Sequence, residues 1–289
     1  MYRYSTSSRQ TGFRSDRPLD NDVIARYAPS VLADSAHASR GERYAFIPTV
    51  QVIDGLRDNG FYPVEVRQTK TRDAGRREFT KHLVRLRRAE GFRADVGEEV
   101  PELVLVNSHD GSSSYQLLAG FFRLVCSNGL IAGDVVNDVR IRHSGRVVDD
   151  VIEGSFRVLD NIETARQRIE TYKSTLLLPH EKEAFATAAA RLRWGDPSDA
   201  PVAGYKLLTT RRWDDRKHDL WTVFNTVQEN LIRGGLRGHA STGRRLTTRG
   251  VTGVNEDVRL NRSLWTLADQ LARRVRGEPD LIDVTPAVA

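Results

Sequence analysis

Between Phe61 and Ala89 apolar and charged residues alternate twice, along FYPVEVRQTKT and again along REFTKHLVRLRRA, with DAGR between them. A period of two sends successive side chains to opposite sides of an extended chain, which is the pattern of strands and not of helices. Turn formers between two such runs predict an antiparallel hairpin. A lone hairpin is marginal in water, so the rest of the chain must supply strands or helices to cover it. ELVLV after Pro101 and DVRIRH after Asn137 read as further strands.

Elsewhere the spacing is helical. The first helix is predicted over Asp22 to Leu32. A second runs from Val50 to Asn59, entered through Pro48 and Thr49, with Val50, Ile53 and Leu56 as its stripe and Gly60 as a left-handed cap. From Ser113 onward, Leu117, Leu118, Phe121, Phe122, Val125 and Cys126 recur in pairs four apart. That spacing predicts a helix capped by Ser112 or Ser113 and ending near Asn128 and Gly129. Beyond residue 145 helical periodicity dominates, with helices expected over Val147–Thr175, Pro179–Trp194, Lys217–Ile232 and Glu256–Val275. The fold class that follows is α+β: a small antiparallel sheet with a basic hairpin packed on helices, followed by a mainly helical C-terminal half.

With 39% hydrophobic residues in 289, the chain can bury a sizeable core in one domain or two. The single cysteine, Cys126, excludes an internal disulfide framework and fits a reducing compartment. The polar N-terminus MYRYSTSSRQTGFRSDR has no signal-peptide core, and no run approaches the ~18 apolar residues of a membrane span, so a cytoplasmic location with no membrane partner is expected. Lys plus Arg number 44 against 38 Asp plus Glu, a net charge of +6. That excess is modest, so its clustering matters more than its sum.

Two clusters stand out. The hairpin carries Arg67, Lys70, Arg72, Arg76, Arg77, Lys81, Arg85 and Arg87, of which Lys81, Arg85 and Arg87 should share one face. Guanidinium groups about 7 Å apart on one strand face are near phosphate spacing along a nucleic-acid backbone. The same charge would equally suit an edge hairpin kept soluble. The loop LRGHASTGRRLTTRGVTG holds Arg237, Arg244, Arg245 and Arg249 with no acidic residue between them, and lacks the spacing of a P-loop. It suits phosphate contact, or a linker between two helices.

Other strings carry less. NSHDG followed by serines could pair His109 with Asp110 and use Ser112 or Ser113 as a nucleophile, but those residues also make a turn and a cap. Cys126 falls on an apolar face, as a buried small hydrophobe would. In RRWDDRKHDLW, Asp214 or Asp215 suits a helix cap, or a metal site with Glu229. Trp213 suits a core or a stacking platform. No cofactor or metal is implied.

YAFIPTVQVIDGL, NSHDGSSSYQLLAGFFRLVCSNGL, and NTVQENLIRGGLRG followed by TTRGVTGVNEDVRLNRSLW together resemble a family of uncharacterised proteins encoded on plasmids and phages, domain of unknown function 932. YAFIPTVQVIDGLRDNGFYPVEV is also similar to the opening of the single-strand annealing superfamily. That resemblance implies a helix at 50–59, a hairpin at 61–89, a strand at 102–107 and a helix at 113–128. It also implies single-stranded DNA in a basic groove and assembly into homo-oligomeric rings. Matched by position, Arg67, Lys81, Arg85, Arg87 and Arg123 would line the groove. The fourth element is apolar here (FFRLVC), where annealing proteins carry several Lys and Arg. On this reading residues 1–40 are a mobile arm and first helix, 41–145 an annealing-protein-like core, 146–277 a helical region with the basic Gly-rich loop, and 278–289 a tail.

The expected function is ATP-independent binding of single-stranded nucleic acid for a mobile element, with strand annealing in DNA recombination as its more specific form. The alternatives are a factor that blocks a host defence or replication protein, and a metal-dependent enzyme acting on nucleic acid.

Overall fold

Alternation on either side of residue 70 produces the strands it predicts. The computed structural model describes residues 12–41, 44, 46–94, 99–123, 128–131, 139–141, 147–196, 198–239 and 242–278. For residues 122, 123, 128–131, 139–141, 147–152, 156 and 159–161 it describes the backbone course alone. The expected mobile arm up to residue 11, the tail beyond 278 and Cys126 lie outside the described residues. The chain divides into two compact units, residues 1–164 with 252–259, and residues 165–251 with 260–289.

In the first unit, β1 (Gly12–Arg14) leads to α1 (Asn21–Tyr27), which Asp20 caps by accepting a bond from the Val23 N–H at 2.8 Å. Next come α2 (Thr49–Asp58), β2 (Phe61–Gln68), β3 (His82–Arg88), β4 (Glu99–Asn107), β5 (Tyr115–Arg123), β6 (Asn128–Ile131) and β7 (Val139–Ile141). Gly60 takes φ +80° after α2, the left-handed stop expected of it. The described strands form an antiparallel sheet in the order β1-β2-β3-β4-β5-β6, with β7 also paired to β5. The α+β class is therefore the fold.

Both faces of this sheet are covered. One buries Val66, Val84, Leu86, Leu103, Leu105 and Leu117 against Ile24 of α1 and Val52, Ile53 and Leu56 of α2. The other packs Leu83, Val104, Val106 and Leu118 against Val254 and Val258. A strand buried on both sides reads as a continuous apolar run. That explains the correction at 113–128: LLAGFF is the centre of β5, not a helix. The spacing of four among its apolar residues satisfies a two-residue period as well as a helical one, and covered faces erase the polar positions that would tell them apart. Asn128 and Gly129, expected at a helix end, lie in β6.

α3 (Val147–Ser174) begins in the first unit and ends in the second. The second unit then holds α4 (Pro179–Trp194), α5 (Leu220–Arg233), the strands β8 (Arg237–His239) and β9 (Arg245–Thr247), and residues 260–275 of α6 (Val254–Val275). Pro179 starts α4 as the sequence suggested. The cap of α5 is Asp219, whose carboxylate accepts the Thr222 N–H at 2.8 Å; Asp214 and Asp215, the expected caps, lie in a separate 3-10 turn. Phe224 and Trp265 pack edge to face, 6.2 Å between centroids, in this unit's core. Among the described residues no helix is long and apolar enough to cross a membrane.

Gly234 ends α5 at φ +70°, and a Cβ there would stand 2.6 Å from the Thr248 carbonyl oxygen. Left-handed backbone costs an L-residue about 1–2 kcal/mol before any clash. Gly234→Ala should therefore lower stability by more than that amount in urea denaturation, while Gly243→Ala, also at positive φ but with open space around it, should lose about the backbone term alone.

Candidate nucleic-acid interface

The hairpin's basic residues divide into two groups with opposite fates. β2 pairs with β3 through a register shift between Pro63 and Glu65, after which Glu65 stands directly opposite Arg85. β3 pairs with β4 so that Arg87 faces Glu102. On this face Arg85 lies between Glu65 (3.5 Å) and Glu102 (3.6 Å), and Arg87 donates to Glu102 at 2.8 Å. Arg14 of β1 bridges Glu65 and Glu102, reaching the latter at 2.6 Å. Arg67 joins Glu65 (2.5 Å) to Asp257 (2.8 Å), and Lys81 donates to Asn255 at 2.6 Å.

The result is a network of ions inside the unit. Arg85 is wholly buried, and Arg87 and Glu102 are nearly so. Burial pushes the Glu65 carboxyl up, but Arg67, Arg14 and Arg85 outweigh it and hold the group down at about 2. Burial likewise opposes the charge on Arg67, yet Glu65 and Asp257 raise its pKa further. On Arg85 burial wins and lowers the pKa in spite of Glu65 and Glu102. The expected solvent-facing row of Arg67, Lys81, Arg85 and Arg87 is thus replaced by side chains turned onto carboxylate and amide partners. Sequence reasoning missed Glu65, Glu102 and Asp257. For the two glutamates the available signal was a single carboxylate, within the apolar run FYPVEV and at the head of ELVLV.

The remaining hairpin cations, Lys70, Arg72, Arg76 and Arg77, are exposed around a 3-10 turn at Ala74–Phe79. They share that turn with Asp73, which pairs with Arg76 at 3.5 Å, and with exposed Glu78. Arg123 ends β5 opposite Glu99 and Asn128, and its side chain lies outside the described residues. The fourth element of the annealing resemblance, a helix at 113–128, is the strand β5 here.

In the second unit the Gly-rich segment is a two-stranded ribbon, not a linker. Arg237 pairs with Thr247, Gly238 with Leu246 and His239 with Arg245. Gly238 is buried on the inner side, where a Cβ would stand 1.9 Å from the Pro201 carbonyl oxygen, and the His239 N–H donates to that same oxygen at 2.9 Å. Alternation then turns Arg237, His239, Arg245 and Thr247 outward together, and all four are exposed. Arg244 and Arg249 are exposed as well. Among the described residues none of Arg237, Arg244, Arg245 and Arg249 has a carboxylate partner.

The ribbon's base is fixed by other arginines. Arg193 donates to the carbonyls of Leu231 and Arg249, and Arg211 to the Gly234 carbonyl at 2.6 Å. The Leu231 and Gly234 carbonyls are orphan acceptors at the negative end of α5, and the Arg249 carbonyl lies just past β9. Arg212 forks onto Glu229 with two 2.7 Å bonds and also meets Asp215 at 3.0 Å. The acids Asp215 and Glu229, suggested for a metal site, do converge, but on a guanidinium that stands where a cation would.

NSHDG forms a turn and more. His109 is buried against His82, their rings 5.1 Å apart, and Thr49 Oγ1 sits 2.9 Å from His82 Nε2 and 3.4 Å from His109 Nε2. Asp110 accepts the Ser112 N–H at 3.0 Å, the turn geometry that the sequence set against a His109–Asp110 pair. Burial, and then His109, push His82 down to about 3, so it is neutral at ordinary pH.

These features define an α+β protein with a buried ion network in its sheet and a basic ribbon, without carboxylate partners among the described residues, on its helical unit. The chain belongs to the family described as Domain of unknown function (DUF932), matching it over residues 36–265. It is similar to the UPF0380 protein YafZ of Escherichia coli (strain K12), 46% identical over 91% of this chain and 95% of that one. It is also similar to the UPF0380 protein YfjQ of the same strain, at the same identity and coverage. No solved structure matches the chain.

Arg85→Met leaves Glu65 and Glu102 short of a buried partner, and should cost about 3–5 kcal/mol in urea denaturation. An Arg72→Met control at the exposed tip should stay within about 0.5 kcal/mol of wild type. His82 has a folded pKa of about 3 against an ordinary 6.5, so between those values the unfolded chain holds the extra proton and stability rises with pH. Below about 6.5 the protein should therefore lose stability on acidification, by about 1.4 kcal/mol per pH unit from this group. Glu65, about 2 against 4.5, adds to the loss below about 4.5. His82→Gln should flatten the upper part of that limb in urea denaturation repeated across pH.

Proposed function

We propose that the protein binds single-stranded nucleic acid, and that the outer face of the β8–β9 ribbon grips its phosphates. One observation carries the reading: Arg237 and Arg245 project with His239 from one exposed ribbon face, and Arg244 and Arg249 stand exposed beside it without carboxylate partners among the described residues. Neighbouring side chains on such a face are about 5–7 Å apart, which suits successive phosphates. Arginine's planar fork can hold a phosphate through two hydrogen bonds. The hairpin tip around Arg72 and Arg77 is the weaker candidate, because Asp73 and Glu78 share it.

The finer form of the proposal is strand annealing without ATP, in the cytoplasm, by a protein carried on plasmids or phages and acting as a homo-oligomer. Neutralising phosphates lowers the repulsion between two strands, which is the physical step annealing needs. The same ribbon could meet an acidic host protein instead. An acidic partner captured with no binding of oligonucleotide would favour that second reading.

Arg237→Gln with Arg245→Gln removes two charges from exposed positions and should leave the far-ultraviolet circular dichroism unchanged. Binding of a labelled oligo-dT, followed by anisotropy across salt, should weaken. The magnitude of its logarithmic salt slope should fall by roughly 1.4, about 0.7 for each single-strand phosphate that is no longer neutralised. An unchanged affinity and slope would remove the ribbon from the proposal.

A further inference from the structure

Building on the nucleic-acid reading, we infer that Tyr205 and Trp213 are stacking platforms that make this surface select unpaired bases. Large aromatic side chains are seldom left in water, yet Trp213 is 77% exposed and Tyr205 58% exposed. Both belong to short segments tied to the ribbon. Lys206, next to Tyr205, donates to the Arg237 carbonyl at 3.1 Å. Arg211, two residues before Trp213, donates to the Gly234 carbonyl at 2.6 Å and to the Asn230 side chain at 3.0 Å.

The segment between the two rings is held from below. The buried Asn230 amide donates to the carbonyls of both Leu207 and Thr209 at 2.8 Å. One asparagine of α5 therefore fixes the run that joins the platforms, and one turn further on Gly234 leads into the strand that carries Arg237. Gly204 adds a further anchor: a Cβ there would stand 2.6 Å from the Thr187 Cα, so the turn bearing Tyr205 lies directly on α4. Rings on an anchored segment lose little freedom when a base lands on them, which is what a stacking platform requires.

Trp213 is also prepared electronically. The Arg216 guanidinium lies 4.4 Å from its ring centroid. The cation covers one face and can reach a phosphate, while the ring's exposure leaves aromatic surface for a base. Bases of a duplex are stacked on each other and present only edges and phosphates. An intact duplex could use the arginines but not the rings. The ligand this inference implies is thus a single strand with unpaired bases beside phosphates held by the ribbon.

The test uses the full-length protein with three labelled probes of equal length at fixed salt: oligo-dT, an abasic sugar-phosphate oligomer, and a duplex. Wild type should prefer oligo-dT over the abasic oligomer by about tenfold per platform used. Trp213→Ala and Tyr205→Ala should each lose about tenfold on oligo-dT, with abasic and duplex affinities and the salt slope unchanged. Trp213→Phe should retain most of the preference. Equal loss on all three probes, or no loss on any, overturns the stacking inference; the phosphate reading survives if Arg237→Gln with Arg245→Gln still weakens every probe. Wild type that binds none of the probes overturns both.

Discussion

Arg85 is a fully buried cation in the middle of a sheet, and the first unit is arranged around keeping it acceptable. Removing charges from water costs several kcal/mol per ion, and mutual attraction offsets this only when the partners are close and well bonded. Here the opposite charges come from separate parts of the chain, Glu65 from β2, Glu102 from β4 and Asp257 from the start of α6, and Arg14 of β1 shares the two glutamates. The register shift at Pro63 is the step that puts Glu65 opposite Arg85. A slip of one residue would send that carboxylate to the apolar face, where Val84 and Leu86 lie. The network therefore acts less as a source of net stability than as a check on strand register, since other pairings would bury unmatched charge.

Arginine plays a second part in the other unit. Arg193 and Arg211 close the end of α5, and Arg212 and Arg233 hold Glu229, with 2.9 Å from Arg233 to that carboxylate. Because these structural needs are met, the arginines of the ribbon are left over. Gly238 lets the ribbon lie flat on Pro201, and alternation directs the remaining cations outward. The proposed binding role rests on what the fold leaves unused, not on the number of arginines. By the same standard the hairpin, richest in basic residues by sequence, is the poorer surface.

Much of the fold was legible because periodicity and punctuation are local. The hairpin, α2 with its Gly60 stop, β4, and α3, α4, α5 and α6 all lie close to the expected residues. The failure at β5 has a physical cause: Leu117, Leu118 and Phe121 are buried on a strand whose two faces are both packed, so neither period leaves a polar trace. The candidate surface was harder to read. Which arginines are spent inside depends on cross-strand partners, and Glu65 and Glu102 lie far from Arg14 and Asp257 in sequence. The three-residue strands of the ribbon are too short to show alternation, so a Gly-rich basic string looked like a loop.

The two histidines show the same dependence on partners distant in sequence. His82 sits in a basic strand and His109 in a turn, and neither has a local sequence pattern that announces the other. In the fold they meet over Thr49 at the start of α2, with Asn107 donating to the same hydroxyl at 3.0 Å and the Ser30 hydroxyl close to His82 Nδ1 at 3.0 Å. A hydroxyl shared by two imidazoles and an amide fixes where α2 begins against the end of β4. Protonating His82 would place a cation in a buried polar cluster with no carboxylate among these named neighbours to receive it. The cluster is therefore best understood as a polar clasp on the start of the helix, whose cost appears only in acid.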